Sequence, residues 1–574
     1  MRILLHASAF NSLTQRLTVE LAYQGHRIAV SLDLGGGPRG DEELRQAIHR
    51  HRPELIVAPM LTSRVPQDVW SQYTCLIVHP GPPGDRGPSA LDWALAEGRR
   101  RWGVTVLQAV AELDAGPVWA SEAFDIPEHA EAGGIAKSDL YRNELADAAS
   151  AAVRRAVERF ASHRFVPGSA PAATVARPYF RQERRAIDWT AEGTDTVARK
   201  LRAADSSPGV LDTLDGREYY LYGGQPEDEL RGVPGTLLAT RDGAVCRATV
   251  DGAVWLGAAR PRRAPDGPPT AKAPAATVLA PTGLLHGVPE IAAPLRSHHK
   301  RQTWATIRYH EQGSVGMLRF SFPGGAMSTT DCRRLLAAYR HAAARPTRLL
   351  VLGAHRDVFS HGIHLGAIEA AADPARESWA NINAMDDLVE AILTTRDKLT
   401  VAALGGNAAA GGLMLALAAD EVWVRGGAVL NPHYRLMGLH GSEFWTYTLP
   451  RRVGREAARR LTADALPIGT QRALDLGLVD RVLACPPEHV PDHVAELAQE
   501  VAEDPHLPRR LAAKRVALRR AEVRRPLAWY RAEELALMHR NFYGPGSPYH
   551  ALRRAFLHKS RPDATPERLH RIPA

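Results

Sequence analysis

Two stretches each set an ionisable side chain where it could meet a carbonyl. His79 opens "HPGPPGDRGPSALDWAL" directly after the apolar run "YTCLIV", and Asp114 heads Asp-Ala-Gly-Pro after "VTVLQAVAEL". Both stand just past the end of a run that reads as strand, in turn-forming Pro and Gly. Two strand-end loops can meet above a sheet, and doubly wound sheets bind ligands beyond the carboxyl ends of their strands, where His79 falls. A carboxylate beside an imidazole favours the imidazolium, which stabilises the oxyanion formed when a nucleophile attacks a carbonyl. Taken singly, each residue also reads as a capped turn.

A second pair, "VFSHGIHLGAIE" and "ALGGNAAAGGLMLALAAD", carries small residues where a backbone could approach a ligand. Gly411 and Gly412 remove the side-chain barrier and open a helix, whose first amides attract negative charge. Downstream, "NPHYRLMGLHGSEFWTYTLPRRVG" brings His433, Tyr434, His440 and Glu443. The histidines His355, His361 and His364 lack a carboxylate to complete a metal triad and read as exposed loop residues, so no metal is expected. "GGGPRG" (Gly35 to Gly40) follows the second strand, lacks dinucleotide-binding spacing, and reads as a flexible loop.

The elements that must position these residues follow from periodicity. "RILLHAS", "HRIAVSLD", "ELIVAPM", "YTCLIVH" and "VTVLQAV" alternate with helical stretches such as "SLTQRLTVELAYQG", the pattern of a doubly wound, mostly parallel sheet. A helical run from Lys137 to Ser162 and a Pro/Ala segment follow. Short strands joined by Asp-Gly turns then suggest a small β-rich domain, a Pro/Ala-rich connector intervenes, and a new α/β pattern begins near Trp304. The remainder is helical and basic. The expected class is α/β, with parts at 1–170, 171–295 and 303–574.

At 574 residues the chain can bury several cores. No apolar run is long enough to span a bilayer, the start is unlike a secretory signal, and four dispersed cysteines form no CxxC pair. A cytoplasmic location without membrane association is expected. The net charge of +9 calls for an anionic partner. It concentrates in "LPRRLAAKRVALRRAEVRRP", whose cations fall on several helical faces without a nucleic-acid motif, so no nucleic acid is expected.

The first motif resembles the formyltransferases that use 10-formyltetrahydrofolate, whose signature is Asn-x-His-Pro, a Pro/Arg-Gly loop, a helix, and Asp-x-Gly-Pro downstream. His79, Arg86-Gly87 and Asp114 to Pro117 match in order, while Ile77 stands where the family has Asn. "IDWTAEGTDTVARKLRAADSSPGVLDTLDG" is similar to the start of those enzymes' C-terminal domain. The resemblance implies a Rossmann-like formyltransferase domain, a formyltransferase C-terminal-like β-rich domain, and His79 as the electrophilic or acid group. The later Gly-rich pair resembles the crotonase (enoyl-CoA hydratase) superfamily, implying a crotonase-like domain with a helical C-terminal extension. By position, the amides of Ile363 and Gly411 would form its oxyanion hole. Met414 and His433 occupy the places of the hydratase glutamates, so ordinary hydration is excluded.

The combination resembles the HypX (HoxX) family of NiFe-hydrogenase maturation, with "RAADSSPGV", "GAMSTTDCRRL" and the His433–Glu443 stretch among the matches. That resemblance implies formyl transfer from 10-formyltetrahydrofolate to coenzyme A, then cleavage of formyl-CoA to CO and CoA. Tyr434 and Glu443 are the candidate base and acid, in either order. Arg16, Arg86, Arg142, Ser206, Arg553 and Arg554 are candidate contacts for folate and CoA, and hydrogenase maturation proteins are candidate partners. Two alternatives stay open. One is a formyltransferase for another amine or thiol acceptor, with the second domain as scaffold. The other is a non-catalytic CoA- or folate-binding assembly factor.

Overall fold

The computed structural model describes all residues except 128–133, 170, 172–173, 294, 297–300 and 573–574. The chain forms two compact units. The first holds Met1–Ile187, Asp195–Leu211 and the chain from Ser560 on; the second holds Asp188–Thr194 and Asp212–Lys559.

The first unit is built on a six-stranded sheet in the order Arg27–Leu32, Arg2–Ala7, Leu55–Met60, Cys75–His79, Arg101–Gln108, Val118–Asp125. The first four strands are parallel and the last two antiparallel. Arg2–Ala7 is buried after its first residue, as a strand covered on both faces must be. Helix Ser12–Tyr23 follows it directly, capped by Asn11, whose side chain accepts from the Thr14 amide at 3.0 Å. Leu4, Leu44, Ile56, Val69 and Cys75 pack on one face.

"GGGPRG" is not a loop throughout. Helix Gly37–His51 begins inside it, with Pro38 in its first turn, where the missing N–H costs nothing. The end of the chain returns to the edge strand: the Ile572 amide donates to Ile28 O at 2.9 Å, and the Leu32 amide to Thr565 Oγ1 at 2.9 Å.

In the second unit, antiparallel strands Arg217–Glu227, Leu237–Arg241, Ala244–Ala248 and Ala253–Pro261 form the β-rich part. The expected Asp-Gly turn is present: Asp242 and Gly243 have φ of 53° and 81°, the left-handed pair a two-residue hairpin needs. A further six-stranded sheet runs Ile307–Gln312, Val315–Phe320, Leu349–His355, Leu399–Leu404, Glu421–Arg425, Arg481–Leu483, parallel after its first hairpin. Short strands Gly362–Ile363 and Ala408–Ala409 leave this layer and carry the second candidate site. The helical extension comprises Leu507–Arg524, Leu527–Tyr543 and Tyr549–Leu557.

Candidate functional site

His79 is the last residue of strand Cys75–His79 and is buried. Its Nε2 lies 2.9 Å from Asp85 Oδ2 and its Nδ1 lies 3.6 Å from Asp114 Oδ1. A ring between two carboxylates can donate to both only when doubly protonated. Asp114 was the expected partner and is indeed beside the ring, but Asp85 makes the closer contact. Asp85 is buried too, and its Oδ1 accepts from Arg177 Nε at 2.9 Å. Asp114 Oδ2 accepts from the Gly87 amide at 3.0 Å, which ties the two loops together.

The Pro/Gly loop is fixed from the neighbouring strand. Trp102 Nε1 donates to Pro80 O and Thr105 Oγ1 to Gly81 O, each at 2.8 Å. A Cβ on Gly81 would stand 2.4 Å from Asp85 Oδ2 and 2.5 Å from His79 Nε2, so only glycine lets the His79–Asp85 contact close. Ile77, in the place of the family's Asn, packs against the apolar cluster of the sheet and offers no amide.

The predicted anion contacts divide. Arg86 Nη1 donates to Glu112 Oε1 at 2.7 Å. Arg142 donates to Ser138 Oγ at 3.3 Å, and Ser138 donates to Asp205 in the turn that exposes Ser206, so Arg142 and Ser206 share one neighbourhood. Arg16 is buried and paired with Glu20 at 2.8 Å and Asp147 at 2.5 Å. Arg553 is buried, donating to Glu369 Oε2 at 2.8 Å with His550 Nδ1 at 2.8 Å from its Nη1, whereas Arg554 is exposed.

In the second unit, the segments around Ile363 and Gly411 lie side by side. Ala409 N donates to Ser360 O at 3.0 Å, and a Cβ on Gly362 would stand 3.2 Å from Gly411 N. Gly411 starts helix Gly411–Leu417, where the first amides have no acceptor within the helix. Glu443 aims at this point: a Cβ on Gly411 would stand 1.9 Å from Glu443 Oε1. The other oxygen, Oε2, accepts from Tyr434 Oη at 2.8 Å and from Ser442 N at 3.0 Å.

Glu443 is buried, at 1% accessible. Burial, and then the nearby charge of Asp386, push its carboxyl up to about 8. Burial and the Glu443 charge hold the Tyr434 phenol well above its ordinary value. Asp386 accepts from Glu443 N at 2.8 Å and is itself raised to about 7, by burial first. Glu534 accepts from Phe444 N at 2.9 Å and is raised to about 8 by burial. Neither Asp386 nor Glu534 stood out in the sequence. Met414 lies wholly inside the core, and His433 is buried beside Tyr434 in sequence.

The three histidines serve the backbone, and His355, expected as an exposed loop residue, is the half-buried last residue of strand Leu349–His355. His355 Nδ1 accepts from Asp357 N at 3.3 Å, His361 Nδ1 lies 3.0 Å from Gly324 O, and His364 Nδ1 accepts from Ala367 N at 3.0 Å. His364 is thus a helix cap rather than an exposed loop residue. Among the described residues, no cluster of three or more His, Cys, Asp or Glu could hold a metal ion, and no helix is long and apolar enough to cross a membrane.

Comparison with known proteins finds three family matches along the chain. Residues 19–146 match the formyl transferase family, 180–265 the formyl transferase C-terminal domain, and 311–546 the enoyl-CoA hydratase/isomerase family. The hydrogenase maturation factor HoxX of Bradyrhizobium diazoefficiens is 47% identical, over 99% of this chain and 96% of its own length. The crystal structure of HypX from Aquifex aeolicus in complex with tetrahydrofolic acid superposes with a TM-score of 0.94 at 41% identity, covering 100% of this chain and 99% of that one. A methionyl-tRNA formyltransferase of Variovorax paradoxus is 29% identical over 39% of this chain and 70% of its own length.

Proposed function

The chain belongs to the HoxX/HypX family of hydrogenase maturation factors, and from that premise we propose that it makes carbon monoxide in two steps, each at its own site. The first transfers formyl from 10-formyltetrahydrofolate to coenzyme A, and the second splits formyl-CoA into CO and CoA. Its functional parts are 1–170, 171–295 and 303–574, and it works in the cytoplasm alongside other hydrogenase maturation proteins. The observation that carries this reading is Glu443, a buried carboxylate held by Tyr434 over Gly411, in an enoyl-CoA hydratase-type domain without the hydratase glutamates.

In the first step the CoA sulfur attacks the formyl carbon. The C–N10 bond breaks, an S–C bond forms, and the thiol proton ends on N10. Asp85 holds the His79 ring through Nε2, and Nδ1, which stands 3.6 Å from Asp114 and so beyond hydrogen-bond distance, supplies an N–H to the carbonyl oxygen as it becomes an oxyanion. The tetrahydrofolate bound by the Aquifex aeolicus relative suggests the same carrier for this chain. Arg86, Arg142, Ser206 and Arg554 are the contacts for folate carboxylates and CoA phosphates. Arg16 and Arg553 would join them only by exchanging their carboxylate partners.

In the second step the formyl oxygen rests on the amides of Ile363 and Gly411. Formyl-CoA has no α-carbon, so no enolate can form and hydratase carboxylates have no task. Glu443 takes the formyl hydrogen as a proton, and the C–S electron pair leaves with sulfur. CO departs, and the proton passes on to the thiolate. The Tyr434 and Ser442 bonds both fall on Oε2, which leaves Oε1, the oxygen nearest Gly411, as the basic atom. Tyr434 therefore orients the base rather than replacing it.

Incubating the protein with 10-formyltetrahydrofolate and CoA and assaying the headspace tests the whole proposal: CO is expected, and its absence from active protein refutes the decarbonylation half. Formyl transfer to another acceptor without CO would favour a formyltransferase with the second domain as scaffold. Two further outcomes follow. Crotonyl-CoA should bind without measurable hydration, read as unchanged absorbance of the conjugated thioester, because Met414 and His433 supply no carboxylate pair. Gly81→Ala should reduce formyl transfer by about 10²-fold or more, the scale of a misplaced catalytic group. CO release from supplied formyl-CoA should survive that change.

A further inference from the structure

Glu443 and Phe444 are consecutive non-glycine residues with φ of 59° and 58°. Side chains resist that left-handed region, and such strain persists only where surrounding contacts impose it. Two buried carboxylates from separate helices impose it here. Asp386, in helix Pro374–Leu393, accepts from Glu443 N at 2.8 Å and from Ser442 Oγ at 2.9 and 2.7 Å. Glu534, in helix Leu527–Tyr543, accepts from Phe444 N at 2.9 Å and from Thr446 N at 2.8 Å. Asp386 is wholly inaccessible, with Arg531 Nε at 4.0 Å from its Oδ2.

We propose that Asp386 is the positioning residue of the second site: it locks the turn that aims the Glu443 carboxylate at Gly411, and it sets a like charge against that carboxylate. The proposal rests on the reading of Glu443 as the base. An isolated buried carboxylate is costly, and a neutral acceptor would satisfy the same amide. The charge therefore calls for a use beyond hydrogen bonding, and a neighbouring anion makes Glu443 a stronger base. The other groups facing the pair are Tyr434 from the preceding loop, Cys332 from helix Thr329–Ala343, and Glu534, Arg531 and Asp387 from the two helices named. Arg531 opposes the effect from Asp386's side; Asp387 and Glu534 reinforce it. The carboxyl groups of Asp386 and Glu443 are both raised, so the two titrate as a coupled pair.

The test is CO release from supplied formyl-CoA by the full-length protein, followed against pH. Asp386→Asn keeps an oxygen for the Glu443 amide and removes the charge. The rising limb of its profile should move to lower pH by roughly one unit, with a plateau below the wild-type rate because the base is weaker. Asp386→Ala, which removes the acceptor as well, should lose far more rate than Asp386→Asn. Asp386→Glu keeps the charge but displaces the acceptor, so the rate should fall with the limb in place; this variant decides the matter if Asp386→Asn does not fold. An unmoved limb in Asp386→Asn, a moved limb in Asp386→Glu, or wild-type turnover in Asp386→Ala overturns the proposal. If the unaltered protein releases no CO from formyl-CoA, or Glu443→Gln turns over normally, the failure lies in the assignment of the base instead.

Discussion

In His79→Ala, formyl transfer to CoA falls by about 10²–10⁴-fold, the usual worth of a positioned acid or base. The loss is chemical rather than structural, because both carboxylates keep other partners. Asp85 remains bonded to Arg177, and Asp114 to the Gly87 amide. The alanine variant should therefore fold, bind CoA esters and release CO from supplied formyl-CoA. Geometry also ranks the supporting carboxylates. Asp85 sits at hydrogen-bond distance from the ring and Asp114 beyond it, so Asp85→Asn should cost more transfer than Asp114→Asn. Formyl-folate consumption with CoA, followed as tetrahydrofolate formed, reads all three variants. Consumption by His79→Ala at the unaltered rate would remove His79 from the mechanism.

Much of this arrangement was legible in the sequence because it is local. Strand ends, Pro/Gly loops and the glycine pair at a helix start are written in adjacent residues, and they singled out His79, Asp114 and Gly411, whereas Ile363 was named only by its position in the crotonase resemblance. What escaped was mostly long-range. Arg177 reaches Asp85 from 92 residues away, Asp386 reaches Glu443 from 57, and Glu534 reaches Phe444 from 90. On a helix, a buried acid such as Asp386 looks like any exposed one until the packing is known. Asp85 is different. It lies six residues from His79, and the signal was Gly81 between them, a residue small enough to let the loop fold back on the ring.

Cation assignments fared unevenly for a related reason. The charge of Arg16 and Arg553 is matched by acids contributed from other helices, so a basic residue in sequence need not be a basic group on a surface. The basic helix Leu507–Arg524 behaves similarly in part: Arg510 pairs with Glu421 and Lys514 with Asp420. The helix start inside "GGGPRG" escaped because three glycines argue locally against helix. Pro38, pre-set for a first turn, and Asp33, whose Oδ1 accepts from the Gly36 amide at 2.7 Å, favour it.

Glu443→Gln should separate the two sites outright. Glutamine keeps the size of the side chain and an oxygen for the Tyr434 and Ser442 donors, but it cannot accept the formyl proton. CO release should fall by about 10²–10⁴-fold, while formyl-folate consumption in the presence of CoA continues. Formyl-CoA, or the formate it hydrolyses to, should then accumulate. Supplying formyl-CoA should restore CO in His79→Ala and fail to do so in Glu443→Gln, a crossed pattern that neither a single-site enzyme nor a passive scaffold produces. The pH dependence has a definite sign. With the Glu443 carboxyl pushed up to about 8, the basic form is scarce at lower pH. CO release should therefore climb about tenfold per unit toward pH 8 and then level off. Tyr434→Phe removes a hydrogen bond that favours the carboxylate, so its limb should move to higher pH, opposite to Asp386→Asn. Two substitutions on either side of one carboxylate, displacing the same limb in opposite directions, would identify that carboxylate as the group that must lose its proton before formyl-CoA can.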